Sequence, residues 1–356
     1  MFSNIEKYYE NVLMIGPDYL SPKGGIAMVL FNLNKYVFQG KMRHVANSCA
    51  GSRLKKLYVM IVALIKMFFL LCVDRKIKII HIHTSSYNGL RRTKYFVDLS
   101  NFFRKKVLLH IHGGGFVDYY KANKRFVDNC LRKTSAIISL SESWKSIFKE
   151  QIGFEKDVFV VNNIVAEPIM RETEPDGLLH FLFLGLIASD KGVFDLLKSL
   201  SIIKTKIEDK ILLHIGGLGK TERLVNDIER YGLNKIVKYE GWVSDDAKIE
   251  LLNKCSVFIL PSYYEGLPLS IVEAMSYGME VISSNVGAIP MLVTDGENGK
   301  LLRPGDIDGL ASAICEMTNN SPKYNEISIM RAQSFMPNEV SKQLNNIYSE
   351  IIRKVS

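Results

Sequence analysis

The chain has 356 residues, of which 47% are hydrophobic; this is enough to form two globular domains and excludes a largely disordered protein. Its five cysteines are widely spaced and include no Cys-x-x-Cys pair, so neither a disulfide framework nor a zinc site is predicted, and a reducing cytoplasm is the expected compartment. The net charge of +9 predicts an acidic partner.

The beginning of the chain predicts a strand, a loop and a helix. Residues 1–10 lack the charged start and apolar core of a signal peptide, so none is expected. Residues 11–16 predict the first β-strand, and a loop containing Gly24 and Gly25 leads into a helix predicted over 27–38. Paired glycines let a backbone approach a ligand closely, although they are also common in turns. Their spacing does not give the Gly-x-Gly-x-x-Gly of a nicotinamide-binding fold.

Residues 57–73 form a strongly apolar segment bordered by lysines and arginines. A 17-residue helix would span only about 25 Å of a hydrocarbon core roughly 30 Å thick, and Lys66 lies at its centre. Two interpretations stay open, a crossover helix packed on a sheet and a helix that contacts a membrane. Because basic residues fill the first third of the chain without a nucleic-acid-binding motif, an anionic membrane surface is favoured over nucleic acid.

Histidines stand out in the remaining strands of the first domain, which are predicted at 77–83, 106–112, 136–140 and 158–161. His81 and His83 share one face of their strand, as do His110 and His112. A metal site is conceivable, but no clustered cysteine or carboxylate completes either pair, so no metal is predicted.

An acidic, proline-containing stretch at residues 167–177 predicts a linker, after which the strand and helix rhythm restarts. Residues 1–168 are therefore assigned to a first domain and 169–337 to a second. Strands of the second domain are predicted at 179–184, 211–215, 237–239, 257–260 and 280–283. Strands alternating with helices predict an α/β fold of two doubly wound parallel sheets, which bind ligands at the carboxyl ends of their strands.

Two motifs in the second domain suggest chemistry that their context excludes. Residues 216–221 end in the Gly-Lys-Thr of a phosphate-binding loop, but the required earlier glycine is His214, so ATP hydrolysis is not predicted. Asp306 and Asp308 have the spacing of an Asp-x-Asp metal clamp. They open a helix, however, where capping is the expected role.

The segment from Glu265 to Glu273 places two carboxylates on either side of a predicted helix start at Pro268. The free amides of Gly266, Leu267, Leu269 and Ser270 would form an anion site there. Two carboxylates repel a phosphate unless each accepts hydrogen bonds from hydroxyls, so the expected ligand carries both groups, as a nucleotide sugar does. A first-turn glutamate and a solvated loop glutamate would be the purely structural interpretation.

The residues around these glutamates closely resemble the family-4 retaining glycosyltransferases of GT-B fold. The resemblance lies in Glu-Gly-Leu-Pro-Leu-Ser-Ile-Val-Glu at 265–273 and in Val-Ile-Ser-Ser-Asn-Val-Gly-Ala-Ile-Pro at 281–290, and extends more loosely over nearly the whole chain. It implies two Rossmann-like domains facing a cleft, with a C-terminal helix at 338–356 crossing back to the first domain.

The resemblance also implies roles for individual residues. Glu265 would contact the hydroxyls of the donor sugar, Glu273 would hold the ribose diol, and the amides of residues 266–270 would bind the diphosphate. Lys191 matches a lysine that binds the diphosphate, His112 a histidine beside the donor sugar, and Gly24 and Gly25 the glycine loop of the first domain. The family's arginine is missing, because Leu186 occupies its position.

The sequence thus predicts a metal-independent retaining glycosyltransferase without a cofactor beyond its co-substrate. Its donor would be a nucleotide diphosphate sugar, with uridine preferred, and its acceptor a hydroxyl of a glycan or lipid-linked glycan in surface polysaccharide synthesis. The expected location is the cytoplasm, peripheral to the inner face of the membrane. Two alternatives stay open: a sugar-nucleotide 2-epimerase, and a non-catalytic donor-binding partner, which the leucine at position 186 would suit.

Overall fold

The structure, a computed structural model, contains two parallel sheets of six strands each and describes residues 8–20, 25–49, 51–112, 115–320, 322 and 324–354. The chain divides into two compact units. Unit 1 comprises Met1–Ala166 and Phe335–Ser356, and unit 2 comprises Glu167–Ser334. The divisions predicted from the sequence are at 168/169 and 337/338.

Unit 1 is a doubly wound sheet with the strand order β2-β1-β3-β4-β5-β6, and all its pairs are parallel. Its strands are β1 (Val12–Pro17), β2 (His44–Ser48), β3 (Ile79–Thr84), β4 (Lys106–Ile111), β5 (Ala136–Ser139) and β6 (Val158–Val160). Its first six helices are α1 (Gly25–Asn32), α2 (Arg53–Val73), α3 (Asn88–Phe102), α4 (Phe116–Ala122), α5 (Lys124–Arg132) and α6 (Glu142–Ser146). Short helical turns lie at Tyr9–Asn11, Leu33–Val37 and Ile147–Gln151.

The two faces of the unit 1 sheet build two separate cores, because successive side chains of a strand point to opposite faces. In β1, Leu13 and Ile15 belong to the core that α2 and α3 cover, whereas Val12 and Met14 belong to the core that α1 covers. Runs that are apolar on both faces are typical of parallel sheets with helices on both sides.

Unit 2 has the strand order β12-β11-β10-β7-β8-β9, again with parallel pairs throughout. Its strands are β7 (Leu179–Leu184), β8 (Ile211–Gly216), β9 (Val237–Gly241), β10 (Val257–Leu260), β11 (Glu280–Ser284) and β12 (Gly299–Leu302). Its helices are α7 (Val193–Ile207), α8 (Thr221–Arg230), α9 (Asp245–Lys254), α10 (Leu269–Ser276), α11 (Ile289–Leu292), α12 (Ile307–Asn320) and α13 (Glu326–Ala332), with short turns at Ser189–Lys191 and Gln333–Phe335. Counted within the unit, this is the 3-2-1-4-5-6 order of a Rossmann fold.

The last helix, α14 (Pro337–Arg353), returns to unit 1. It packs with Val340, Leu344, Ile347, Tyr348 and Ile351 against the core that contains Val12 and Met14. Their spacing places them on one stripe of the helix. The predicted C-terminal helix and the two doubly wound sheets are confirmed.

Helix α2 both packs on the sheet and exposes an apolar face. Ala63, Met67 and Leu71 are buried in the unit 1 core. On the other side, Ile61, Ile65, Phe68 and Phe69 are 42–62% exposed. Among the described residues, α2 is the one helix that is long and apolar enough to cross a membrane. Its most apolar 18-residue stretch has a mean hydropathy of 2.3, and 17% of that stretch is buried.

Candidate functional site

The topology of unit 2 creates a crevice between β7 and β10. The chain leaves β7 toward β8 on one side of the sheet, whereas it leaves β10 toward β11 on the other. At such a switch point the two loops diverge at the carboxyl ends of the strands, where ligands of doubly wound sheets bind. Lys191 follows β7 and Glu265 follows β10, so the topology alone brings these distant parts of the sequence together.

The two loops contact each other through a glycine. Gly192 has a φ of +71°, and a Cβ atom at this position would lie 2.0 Å from the carbonyl oxygen of Pro261. Next to it, the amide of Tyr263 donates a hydrogen bond of 2.8 Å to the carbonyl oxygen of Asp190. Only glycine allows both the left-handed conformation and this close approach. The sequence around Lys191 therefore fixes the backbone from which its side chain extends.

Lys191 and Glu265 form an ion pair, with 2.6 Å between Nζ and Oε1. The hydroxyl of Ser262 donates to the same oxygen at 2.8 Å. The Glu265 side chain is 11% exposed, and among the described residues its Oε2 atom has no partner. One oxygen thus fixes the carboxylate while the other can accept a hydrogen bond from a ligand hydroxyl.

The loop after β11 positions the backbone of Glu265. Gly287 has a φ of +56°, and a Cβ atom there would lie 2.0 Å from the carbonyl oxygen of Glu265. The amide of Ala288 donates to the carbonyl oxygen of Gly266 at 2.9 Å. The resembling sequence at 281–290 therefore has a physical role, which is to hold the Glu265 loop.

Helix α10 starts beside this loop without a side-chain cap, and Pro268 occupies its N-cap position. The amides of Gly266 and Leu267 donate to no acceptor in the described part of the chain. Those of Leu269 and Ser270 lie in the first turn, where helix geometry leaves amides without partners. Four free donors at the positive end of a helix favour an anion.

Glu273 lies one turn further along α10 and pairs with Lys248 of α9, at 2.6 Å between Oε2 and Nζ. The sequence reasoning missed Lys248, because nothing in the local pattern of α9 distinguishes it from a solvated lysine. Each carboxylate of the site therefore has its own lysine. At the end of β7, Leu186 is 55% exposed and supplies no cation.

The glycines at 216–221 serve the same loop in place of a phosphate-binding turn. A Cβ atom on Gly217 would lie 1.8 Å from the carbonyl oxygen of Gly185, and one on Gly219 would lie 2.5 Å from that of Ile187. The amide of Ile187 donates to the carbonyl oxygen of Leu218 at 2.8 Å. These close backbone contacts support the loop that carries Lys191.

In unit 1, His112 follows β4. Its Nε2 atom and Nδ1 of His83 share a hydrogen bond of 3.0 Å. Burial lowers the pKa of His112 to about 3, so its imidazole is neutral at physiological pH. Gly25 begins α1 with open space around its Cα atom. Gly24 lies outside the described residues.

His81, His83 and His110 bring three ring nitrogens within 4.8 Å of one another. Both nitrogens of His81 are already hydrogen-bonded, to the Tyr348 hydroxyl at 2.8 Å and to Nδ1 of His110 at 3.2 Å. The rings of His81 and His83 stack with 19° between their planes. Because a metal needs lone pairs that converge, this geometry favours a hydrogen-bonded histidine cluster.

The second unit resembles known proteins in sequence. Residues 167–332, nearly all of unit 2, match the family model "Glycosyl transferases group 1". The chain is 28% identical over 173 residues to MMP alpha-(1->4)-mannosyltransferase of Mycolicibacterium hassiacum, covering 47% of this chain and 41% of the relative. It is 27% identical over 187 residues to O-antigen chain mannosyltransferase B of Escherichia coli, covering 51% and 48%. The match thus spans under half the length of these relatives.

The fold is that of solved structures with little sequence identity. Anabaena HepE in complex with UDP superposes with a TM-score of 0.73 at 18% identity, covering 96% of this chain and 100% of that one. At this identity the likeness establishes the fold. The GT-B fold expected from the sequence is therefore confirmed.

Proposed function

We propose that this chain, whose second unit matches the model of the group 1 glycosyl transferases and whose fold is GT-B, moves a hexose or N-acetylhexosamine from a nucleotide diphosphate sugar to an acceptor hydroxyl. The observation that carries the proposal is the pair of Glu265 and Lys191 beside the free amides that begin α10. Donors for a diphosphate and an acceptor for sugar hydroxyls lie together at the switch point of unit 2.

The proposed donor site divides the work between charges and dipoles. The amides of Gly266, Leu267, Leu269 and Ser270, together with Lys191, stabilise the diphosphate as its charge grows on departure. Glu265 accepts from hydroxyls of the sugar and Glu273 from the ribose. Uridine is the proposed base, in line with the UDP bound to HepE.

The reaction is proposed to retain the configuration of the sugar without a covalent intermediate. Both carboxylates of the unit 2 site are assigned to hydroxyls of the donor and are held in ion pairs with lysines, so neither is proposed as a nucleophile. The departing phosphate would take the proton of the acceptor hydroxyl on the same face of the sugar, and no step uses a metal or a further cofactor. Trapping a covalent glycosyl-enzyme would contradict this mechanism.

The decisive experiment compares Glu265→Gln with Glu250→Gln, an exposed glutamate of α9 in the same unit. Transfer from UDP-sugars to a panel of glycan and lipid-linked acceptors is measured with each protein. A lost hydrogen bond to a charged group is worth about 1.5–3 kcal/mol, so Glu265→Gln should lower kcat/KM by roughly ten- to a hundredfold. The control should keep wild-type activity. Full activity of Glu265→Gln would rule out this site.

Leu186 favours one alternative, a partner subunit that binds the donor without turning it over, because the cation of the family pattern is absent at this exposed position. UDP binding without transfer to any acceptor of the panel would support that alternative. Free epimerised nucleotide in the absence of acceptor would instead support a sugar-nucleotide 2-epimerase.

The acceptor is proposed to be a lipid-linked glycan reached from the inner membrane face, with α2 as the contact. Its exposed apolar residues are centred opposite the buried Met67 when the helix is drawn at about 100° per residue. The patch extends to the end of α3, where the ring of Phe103 packs 5.4 Å from that of Phe68 and Phe102 is 76% exposed. Contiguous apolar surface of this kind marks an interaction site.

The positive charge of α2 supports an anionic bilayer as its proposed partner. Helix α2 contains no acidic residue, and Arg53, Lys55, Lys56 and Lys66 are exposed along it, without an ion pair to any described residue. Such a helix lies in the membrane interface with its apolar face buried about 5–10 Å, and Lys66 at its flank can extend to the headgroups. A span would remove Ala63, Met67 and Leu71 from the unit 1 core.

Vesicle flotation tests this contact with Ile65→Gln/Phe69→Gln against the matched control Ile202→Gln, an equally exposed residue of α7. We expect wild type and control to float with phosphatidylglycerol vesicles and the double variant to bind at least about tenfold more weakly. Equal flotation of all three proteins would contradict the contact. Resistance of the bound protein to carbonate extraction would show that α2 spans the bilayer instead of lying at its surface.

A further inference from the structure

A pocket of about 260 Å³ lies in unit 1, where β1, β2 and β3 end and α1 begins. Its volume is below the range of roughly 300–1,000 Å³ that encloses drug-sized ligands. It is therefore suited to one small polar group. The residues that line it include Gly25, Asn47, Ser48, Thr84, Ser85 and Arg92.

Arg92 lines this pocket without a partner. Its Nε atom is buried and has no hydrogen-bond acceptor, and no ion pair joins its guanidinium to any described residue. Half-buried arginines elsewhere in the chain are paired, Arg43 with Asp74 and Arg331 with Glu297. Burial lowers the pKa of Arg92, yet a guanidinium keeps its proton. A half-buried unpaired cation is unfavourable unless a ligand supplies the anion.

The remaining lining completes an oxyanion site. Among the described hydroxyls that line the pocket, that of Ser48 has no hydrogen-bond partner and can donate to an anion. The hydroxyls of Thr84 and Ser85 donate to the carbonyl oxygens of Ser85 and Ser86 at 3.1 and 3.4 Å, so each would have to rotate to donate to an anion. The described lining contains no carboxylate that would repel one. His83 also lines the pocket, is 2% exposed, and has an Nε2 atom without a partner. The start of α1 at Gly25 and Ile26 adds helix amides at one end of the pocket.

We propose that this pocket binds a phosphate-type oxyanion of the acceptor, with Arg92 as its principal cation. The fork of the guanidinium can take two oxygens at once, which a lysine cannot do. The assignment to the acceptor rests on the proposed glycosyl transfer, in which the amides of α10 hold the diphosphate of the donor. The oxyanion site itself does not depend on that transfer.

Thermal unfolding of the whole protein in saturating UDP tests the pocket with inorganic pyrophosphate as the probe. Pyrophosphate should raise the Tm of wild type, because it binds the folded state. Arg92→Gln should abolish this rise, Arg92→Lys should weaken it, and the matched control Arg125→Gln, an exposed arginine of unit 1, should retain it. Without any oxyanion, Arg92→Gln should have a Tm equal to or above that of wild type, since it removes an unpaired charge.

Two results would overturn the oxyanion site. One is an Arg92→Gln protein that is less stable alone and still responds to pyrophosphate, as a purely structural arginine would give. The other is a wild-type protein whose Tm pyrophosphate does not change once UDP is saturating. These measurements need no sugar transfer, so failure of the proposed function would leave them interpretable.

UDP affinity and two further probes assign the anion to its source. The Kd of UDP should stay within about twofold in Arg92→Gln, and a tenfold rise would overturn the acceptor assignment in favour of the donor. Glycerol 3-phosphate presents the group in solution, and phosphatidylglycerol vesicles present it on a lipid surface. A rise in Tm with glycerol 3-phosphate indicates a soluble phosphorylated acceptor. A rise with the vesicles alone indicates a lipid-borne acceptor. If neither raises the Tm, the proposal is overturned.

Discussion

At the scale of single residues, the ion pairs show how two carboxylates can lie in the site that we propose for a diphosphate. Glu265 and Glu273 are each neutralised by a lysine, Lys191 and Lys248. These lysines are 23% and 30% exposed, so both can reach a ligand. Lys248 adds a second lysine to the site, but its charge is matched by Glu273, so it does not replace the cation that is missing at Leu186.

Restoring the missing cation should strengthen donor binding. In Leu186→Arg the new guanidinium would stand at the exposed end of β7, within the loop that carries Lys191. A charge-assisted hydrogen bond to the diphosphate, reduced by solvent exposure, should lower the Kd of UDP by roughly tenfold. Titration calorimetry with UDP measures it. Ile202→Arg, at 59% exposure on α7, controls for net charge and should change little. An equal fall in the Kd of UDP in both variants would mean that added positive charge anywhere in the unit attracts the nucleotide.

How far the sequence predicts the site depends on whether a residue's partner is local. Glu265, the helix start at Pro268 and the following amides are close in the chain, so their arrangement could be foreseen from capping rules. The pairing of Glu273 with Lys248 joins α10 to α9, and the cluster around His83 joins β3 to β4. No local pattern encodes such contacts, which follow from the topology of the sheet.

At the scale of elements, the strands missed by the sequence are both edge strands. Within the described ranges, β2 pairs only with β1, and β12 only with β11. An edge strand is covered on fewer sides, so β2 can read His-Val-Ala-Asn-Ser and β12 Gly-Lys-Leu-Leu without the long apolar run of a central strand. The central strands were predicted because their burial on both faces demands such runs. The helix predicted over 27–38 is shorter, since α1 ends at Asn32 and a π-helical turn follows.

The contact between the loops after β7 and β10 should depend on glycine at position 192. Gly192 and Gly241 have the same φ of +71°, but a Cβ on Gly192 would overlap the carbonyl of Pro261, whereas one on Gly241 would meet no atom within 4 Å. Gly241→Ala should therefore lose only the roughly 1 kcal/mol of left-handed strain, while Gly192→Ala should lose several kcal/mol and displace Lys191. Calorimetric unfolding and UDP affinity measure both effects. Equal losses in the two variants would show that the loop contact is unimportant.

At the scale of the whole molecule, the histidines are unevenly divided between the units. Five of the seven, His44, His81, His83, His110 and His112, lie in unit 1. Burial lowers the pKa of every one of them, to about 3 for His81 and His112 and to about 4 for His44. The histidines of unit 1 are therefore neutral in the folded protein, so the stability of this unit depends on pH.

Unit 1 should lose stability as the pH falls below about 6.5, the ordinary pKa of a histidine in the unfolded chain. Above that pH neither state binds the protons and the stability is fully present. Below it the unfolded state binds them and the folded state does not, so each histidine should remove roughly 1.4 kcal/mol per pH unit until its folded pKa is reached. Trp144 packs against the unit 1 core, so its fluorescence in a Trp242→Phe background reports this unfolding in urea.

The slope of stability against pH, rather than stability itself, is the decisive quantity. His110→Leu removes one titrating group from the cluster. A change in packing alters the free energy of unfolding equally at every pH and leaves its slope against pH unchanged. Between pH 6.5 and 5 the variant should show a slope lower by roughly 1.4 kcal/mol per pH unit than wild type. A slope unchanged by the substitution would mean that His110 is already charged in the folded protein. Because His81, His83 and His112 contact one another and His110 through hydrogen bonds and stacked rings, such a charge would have to be shared across the cluster.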